Sequence, residues 1–214
     1  MIFVLELGVL FFLSKKLTKL IFRNLYRLTK NRERSIYLMA LIFLPGTFLH
    51  EVSHFITALF LLVRVGELDL IPEVEDGGVK MGSVAIGKSD FLRRFLIGIA
   101  PILVGLTVIF GALNYVSTHN LQYNPLVIVG LFYLLFQIGN TMFSSKRDME
   151  GVLYLVVFLV FLVVIVYLLG LRISITEVFG FIDNNLLSIF RLGSIYMFLA
   201  LVVDLLAIFI LNLF

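Results

Sequence analysis

The chain has 214 residues, of which 61% are hydrophobic and only 14% are charged, and its formal net charge is +3. A soluble domain is closer to half apolar and a quarter charged, so this chain carries more apolar surface than one globular core can hide. The composition excludes an ordinary soluble domain and predicts a multi-pass integral membrane protein, with residues 1–214 forming a single membrane domain. Because there is no cysteine, any metal must be held by His, Asp or Glu.

A helix that spans a bilayer needs about 20 mainly apolar residues. Six stretches meet this requirement, at residues 2–22, 36–63, 91–116, 125–143, 151–171 and 192–213. Lysines interrupt the second half of the first stretch, and we expect their ammonium groups to reach the membrane interface. The sequence therefore predicts an all-α polytopic membrane protein of about six transmembrane helices, with the lipid bilayer as its surroundings.

Two connecting segments are polar. Residues 14–35 contain eight Lys or Arg and one Glu, which favours a solvated basic linker on the cytoplasmic flank, in contact with anionic lipid. Since the positive charge clusters at this flank, it does not indicate binding to nucleic acid. Residues 172–191 mix polar and aromatic positions, which is typical of an interfacial helix or loop.

Residues 64–90 form the one substantial soluble segment of the sequence. Apolar and polar residues alternate along it, which is the period of a β-strand. Asp76-Gly77-Gly78 favours a hairpin turn, because glycine accepts the positive φ that such turns need. We therefore expect a small β-loop or hairpin between the second and third spans.

The span at 36–63 contains His50, Glu51 and His54, within LPGTFLHEVSHFITALFLL. Burying three titratable groups there is costly unless something compensates. Residues four apart lie on one face of a helix, so His50 and His54 can bind one Zn²⁺ ion through ring nitrogens, while Glu51 lies beside it as general base. The alternative interpretation is a pair of hydrogen-bonded core histidines beside a buried carboxylate.

A catalytic zinc site needs a third protein ligand and leaves the fourth position to water. The side chains that can supply this ligand are His119, Asp148, Glu150, Glu177, Asp183 and Asp204. Asp148 and Glu150 lie in the polar bend 139–151, which can reach membrane depth only where it lines a cavity. His119 lies in a turn sequence and is expected to be solvated. Asp204 lies mid-span, where we expect a packing or hydrogen-bonding role.

HExxH in a membrane span, followed by a β-loop, resembles the site-2 protease group of intramembrane zinc metalloproteases, peptidase family M50. That family has a later segment reading roughly Asn-x-x-Pro-x-x-x-Leu-Asp-Gly, and Asn140 and Asp148 stand at its Asn-to-Asp spacing. The resemblance implies Asp148 as third zinc ligand, Asn140 as a substrate-binding residue, and a transmembrane protein as substrate. Phe143 replaces the first proline and Arg-Asp-Met-Glu-Gly replaces Leu-Asp-Gly, which leaves Glu150 open as the alternative ligand.

Other functions fit parts of the same pattern. A membrane peptidase of the CAAX-processing kind would use a glutamate, Glu150 or Glu177, as third ligand, but the soluble domains that usually surround that site have no counterpart in these residues. A metal transporter or sensor would use the same ligands without hydrolysis and would not need Glu51. A catalytically inactive protease-like scaffold would keep the fold without cleaving a substrate.

Overall fold

The computed structural model describes residues 2–75, 78–143 and 184–213, together with the isolated positions 161, 164–165 and 168. Nearly all of the predicted span 151–171 lies outside the described residues. So do residues 144–150 of the predicted bend, and with them Asp148 and Glu150.

Five long helices make up most of the described structure. They are α1 (Ile2–Thr29), α2 (Arg32–Phe60), α3 (Phe91–Thr118), α4 (Pro125–Thr141) and α5 (Asn184–Asn212). Within the described residues, α2, α3 and the Gly193–Asn212 part of α5 are long and apolar enough to cross a membrane. These three helices correspond to the predicted spans 36–63, 91–116 and 192–213. α4 is also apolar but has only 17 residues.

The basic segment at 14–35 is not the linker that the sequence predicts. α1 continues through most of it, and only Lys30 and Asn31 connect α1 to α2. The Asn31 side chain caps α2 by accepting a hydrogen bond from the Arg34 backbone N–H at 3.1 Å. Leu17 and Leu20 are buried, while Lys15, Lys16 and Lys19 in the same turns are exposed. An amphipathic helix therefore carries this positive charge, because its apolar stripe packs on the bundle.

The predicted β-loop is present between α2 and α3 as four short strands. They form two antiparallel pairs, β1 (Val65–Asp69) with β4 (Ser83–Ile86) and β2 (Glu73–Glu75) with β3 (Gly78–Lys80). In the second pair Glu73 lies opposite Lys80 and Glu75 opposite Gly78, so two antiparallel strands flank the predicted turn sequence. This confirms the hairpin that the Asp-Gly-Gly sequence indicates.

α4 lies at the centre of the described helices and packs against each of the other four. Its middle contributes Leu131 and Leu135 to an apolar core shared with α1, α3 and α5. Its last turn is different, because the consecutive residues Gln137 to Thr141 are all buried and three of them are polar. The polar end of α4 is thus enclosed by the bundle, beside the histidine-containing helix α2.

Glycines on α2 and α3 allow α4 to come this close. A Cβ atom at Gly46 would lie 2.6 Å from Thr141 Oγ1 and 2.8 Å from the Gln137 carbonyl oxygen. At Gly105 it would lie 2.9 Å from Ile138 Cγ2. Such separations are too short for a real Cβ. The close packing of α4 on α2 and α3 therefore requires glycine at both positions.

Candidate metal centre

The two histidines of HExxH meet on the inner face of α2. His50, Glu51 and His54 are buried, with exposed fractions of 3%, 6% and 5%. His50 Nε2 and His54 Nε2 lie 3.1 Å apart, and the ring planes are inclined at 85°. Two nitrogens bound at about 2.0–2.1 Å to one ion in tetrahedral geometry are roughly 3.4 Å apart. The Nε2 pair is therefore already near the separation that a shared zinc ion requires.

The orientation of the His54 ring is set from α3. His54 Nδ1 lies 2.8 Å from the backbone carbonyl oxygen of Ile97. Since a carbonyl can only accept, this partner assigns the hydrogen to Nδ1 and leaves the lone pair on Nε2. Metal-bound histidines characteristically donate their other ring N–H in this way, which fixes the tautomer and aims the ligand nitrogen.

The same geometry also suits the alternative interpretation of the pair. A separation of 3.1 Å allows His50 Nε2–H to donate a hydrogen bond to the His54 Nε2 lone pair. The two interpretations differ only in whether a proton or a metal cation lies between the same two nitrogens. Metal content, rather than geometry, distinguishes them.

The β-loop lies directly against the Glu51 turn. Gly82, which precedes β4, is buried, and a Cβ placed on it would lie 2.8 Å from Thr47 Cγ2 and 3.1 Å from Glu51 Cγ. The same atom would lie 3.3 Å from the Asp69 carbonyl oxygen at the end of β1. Gly82 thus brings the backbone of the β-loop into contact with the helical turn that carries the proposed general base.

The third ligand is not assigned by the described part of the chain. Within residues 2–75, 78–143 and 184–213, no group of three His, Asp or Glu side chains is placed to hold a metal ion. His119 is exposed after α3, where its Nδ1 contacts the Tyr115 carbonyl oxygen, as expected of a solvated turn residue. Asp148, Glu150, Glu177 and Asp183 lie outside the described residues, and Asp148 as third ligand stays a prediction.

Asn140 and Asp204 form a buried polar pair between α4 and α5. Asn140 Nδ2 donates to Asp204 Oδ1 at 2.7 Å and to the Phe136 carbonyl oxygen at 2.9 Å. The Ser14 hydroxyl of α1 donates to the backbone carbonyl oxygen of Asn140 at 3.1 Å. Asn140 therefore connects three helices. The hydrogen-bonding role expected for Asp204 is confirmed. Substrate binding by Asn140 remains a prediction.

Two oxygens of this pair, Asn140 Oδ1 and Asp204 Oδ2, are buried without a partner among the described residues. We expect Asp204→Asn to retain or slightly raise stability, because its amide keeps the acceptor and adds a donor. Asp204→Leu has a similar volume but removes the acceptor for Asn140 Nδ2, so it should lower the free energy of unfolding by about 1–3 kcal/mol. Thermal unfolding in detergent measures both, and equal losses in the two variants would contradict this account.

Gln137 is a site-adjacent residue that the sequence pattern did not single out. It is 3% exposed, its Nε2 donates to the Ile42 carbonyl oxygen at 2.5 Å, and its Oε1 accepts from the Gly46 N–H at 3.2 Å. Both partners belong to α2, one to two turns before His50. The signal in the sequence is a carboxamide within the apolar run LFYLLFQI, since such a group must find a partner inside the bundle.

Comparison of the chain with models of known protein families, with curated proteins and with solved structures finds no match. Three contacts within this chain define the candidate centre. These are the Nε2 pair of α2, the α3 carbonyl that orients His54, and the β-loop glycine that lies against Glu51.

Proposed function

We propose that this protein is an intramembrane zinc metalloprotease of the site-2 protease type, which hydrolyses peptide bonds of membrane-embedded proteins. The observation that carries the proposal is the buried Nε2 pair at 3.1 Å, with the His54 lone pair aimed by the Ile97 carbonyl. These imidazoles lie in a helix apolar enough to cross a membrane, in a multi-pass bundle for which we propose about six transmembrane helices.

His50 and His54 would hold the ion through Nε2, with Asp148 as third ligand and Glu150 as its alternative. The donor set fits zinc, because imidazole and carboxylate are its usual ligands in a chain without cysteine. When bound, zinc makes its water a nucleophile at neutral pH and polarises the carbonyl of the scissile bond.

Glu51 is the proton carrier of the proposed reaction. Its carboxylate accepts a proton from the attacking water and then returns it to the amine that leaves. It lies on the same turn as both histidines and is 6% exposed. The Gly82 backbone lies against its side chain, which limits its freedom and keeps bulk solvent off this side of the centre.

The β-loop supports a protein substrate rather than a small molecule. A peptide bond within a transmembrane helix is shielded by helical hydrogen bonds, so a substrate must unwind locally before it reacts. An extended segment can add to the edge of a sheet through main-chain hydrogen bonds. β1 and β4 form a two-stranded sheet that packs on α2, and an unwound segment docked on its edge would run beside the Glu51 turn.

Metal content tests the proposal and assigns the third ligand. Purified in detergent and loaded with zinc, the wild-type protein should hold one Zn²⁺ per chain. His50→Ala and Asp148→Ala should lose it, because each removes a ligand, while Glu150→Ala should retain it. His119→Ala, which changes an exposed histidine, is the matched control and should also retain zinc.

Elemental analysis of the desalted proteins provides the measurement. Zinc lost from Glu150→Ala but kept by Asp148→Ala would assign Glu150 instead. A wild-type protein without stoichiometric zinc would refute the proposed function and favour the hydrogen-bonded histidine pair.

A further inference from the structure

Pro45 interrupts the hydrogen bonding of α2 shortly before the histidines. A proline has no N–H, and its ring presses on the carbonyl four residues earlier, so helices bend at such positions. In an uninterrupted helix the next N–H, that of Gly46, would donate to the carbonyl of Ile42. Here both groups are bonded to Gln137 of α4, the Gly46 N–H to Oε1 at 3.2 Å and the Ile42 carbonyl to Nε2 at 2.5 Å. One carboxamide thus bridges a donor and an acceptor of α2 at the proline.

The surrounding contacts fix the turn of α4 that carries this carboxamide. Thr141 Oγ1 donates to the backbone carbonyl oxygen of Gln137 at 2.8 Å, within the last turn of α4. Gly46 has no side chain, which leaves the space that this turn of α4 occupies. Phe43 and Phe136 stack on the adjoining side, with ring centroids 5.6 Å apart and planes within 15°. α2 and α4 are therefore joined at the Pro45 turn by polar, steric and aromatic contacts together.

We propose that Gln137 is a positioning residue for the metal centre, an inference that rests on the proposed function. From the proline we infer a bend of α2 at Pro45. Since His50 lies one turn beyond Gly46, this bend would set the direction in which the 50–54 turn presents its Nε2 pair. The segment that carries Asp148 follows α4 directly in the chain. By bonding across the bend, Gln137 holds the helix of the two histidines in register with the helix that leads to the third ligand.

Gln137→Met tests the hydrogen bonds with little change of shape. We expect it to weaken zinc binding by roughly 10- to 100-fold, the usual effect of losing a group that supports metal ligands. Gln137→Glu is the conservative variant, because a neutral glutamic acid keeps one donor and one acceptor, and it should restore much of the binding. Zinc affinity is read by competition with a chromophoric chelator. Wild-type affinity in Gln137→Met would overturn the proposal.

The absence of cysteine from the sequence allows a second readout that needs no metal. Tyr37 and Phe60 are exposed on α2 on either side of the bend, so cysteines at these positions can carry spin labels. The distance between labels in zinc-free protein should be narrowly distributed in the wild type and clearly broader in Gln137→Met. Unchanged distributions would overturn the proposal. If the wild type binds no zinc, the proposed function fails, while this distance still decides whether Gln137 holds the bend.

A double variant separates positioning from simple support of the fold. Pro45→Ala restores an N–H to α2, so Pro45→Ala/Gln137→Met should fold even if Gln137→Met alone does not. We expect wild-type thermal stability from it, together with weak zinc binding and an altered label distance, because the bend is lost. Recovery of full zinc binding in the double variant would show that Gln137 only compensates for the proline, and would overturn the proposal.

Discussion

Glu51→Gln is expected to abolish peptide cleavage while the purified protein still holds its zinc. The amide keeps the size of the side chain and its contact with Gly82, but it cannot accept a proton from the attacking water. General acid–base catalysis contributes about 10²- to 10⁴-fold to a rate, so cleavage should fall by at least roughly 100-fold. The measurement is cleavage of single-span fusion proteins in proteoliposomes, beside the zinc content of the same preparations.

Glu33→Gln is the matched control for this experiment. It makes the same substitution on the same helix at an exposed position in the first turn of α2, and it should leave cleavage unchanged. Loss of zinc from Glu51→Gln would instead make Glu51 a ligand. Zinc transport by the wild type that persists in Glu51→Gln, with no cleavage by either protein, would favour the metal transporter.

Gly46→Ala is expected to destabilise the bundle and to weaken the metal centre together. The added methyl group would lie 2.6 Å from Thr141 Oγ1 and 2.8 Å from the Gln137 carbonyl oxygen, and that carbonyl is backbone that cannot simply rotate away. Separating α2 from α4 should lower the free energy of unfolding by about 1–3 kcal/mol, the usual result of overpacking. It should also reduce zinc affinity, because α2 would shift next to His50.

Gly111→Ala on α3 is the control, since a Cβ there meets nothing within 4 Å. An alanine at an unobstructed helical position should be neutral or stabilising by about 0.5–1 kcal/mol. Denaturant titration in a mixed detergent measures both variants. If Gly46→Ala and Gly111→Ala had the same stability, the close approach of α4 to α2 would not hold in the protein.

Features that depend on local pattern were predictable from the sequence. The length of the apolar runs indicated the helices α2, α3 and α5, because the required length follows directly from bilayer thickness. The antiparallel pairing of β2 with β3 was predictable from the Asp-Gly-Gly sequence between them, because glycine accepts the positive φ that hairpin turns need. The shared face of His50 and His54 followed from the helical period, which their Nε2 separation of 3.1 Å confirms.

Charge pattern was a poorer guide. The basic residues of 14–35 suggested a linker, yet most of them lie on α1, because the buried leucines between them give that helix a face to pack. The family resemblance predicts a substrate-binding role for Asn140, and this stays a prediction. The structure gives it a partner 64 residues away, Asp204, which spacing within one segment does not reveal.

By itself, the sequence determined the elements and the side chains that share a face, because helical and strand periods act over a few residues. Only the tertiary structure decided how these side chains are oriented. The ring of His54 takes its tautomer from a carbonyl 43 residues away, and the turn of α2 at Pro45 is hydrogen-bonded to a glutamine more than 90 residues away. Such partners are chosen by how the helices pack, because a buried polar group bonds to whatever the neighbouring helix presents.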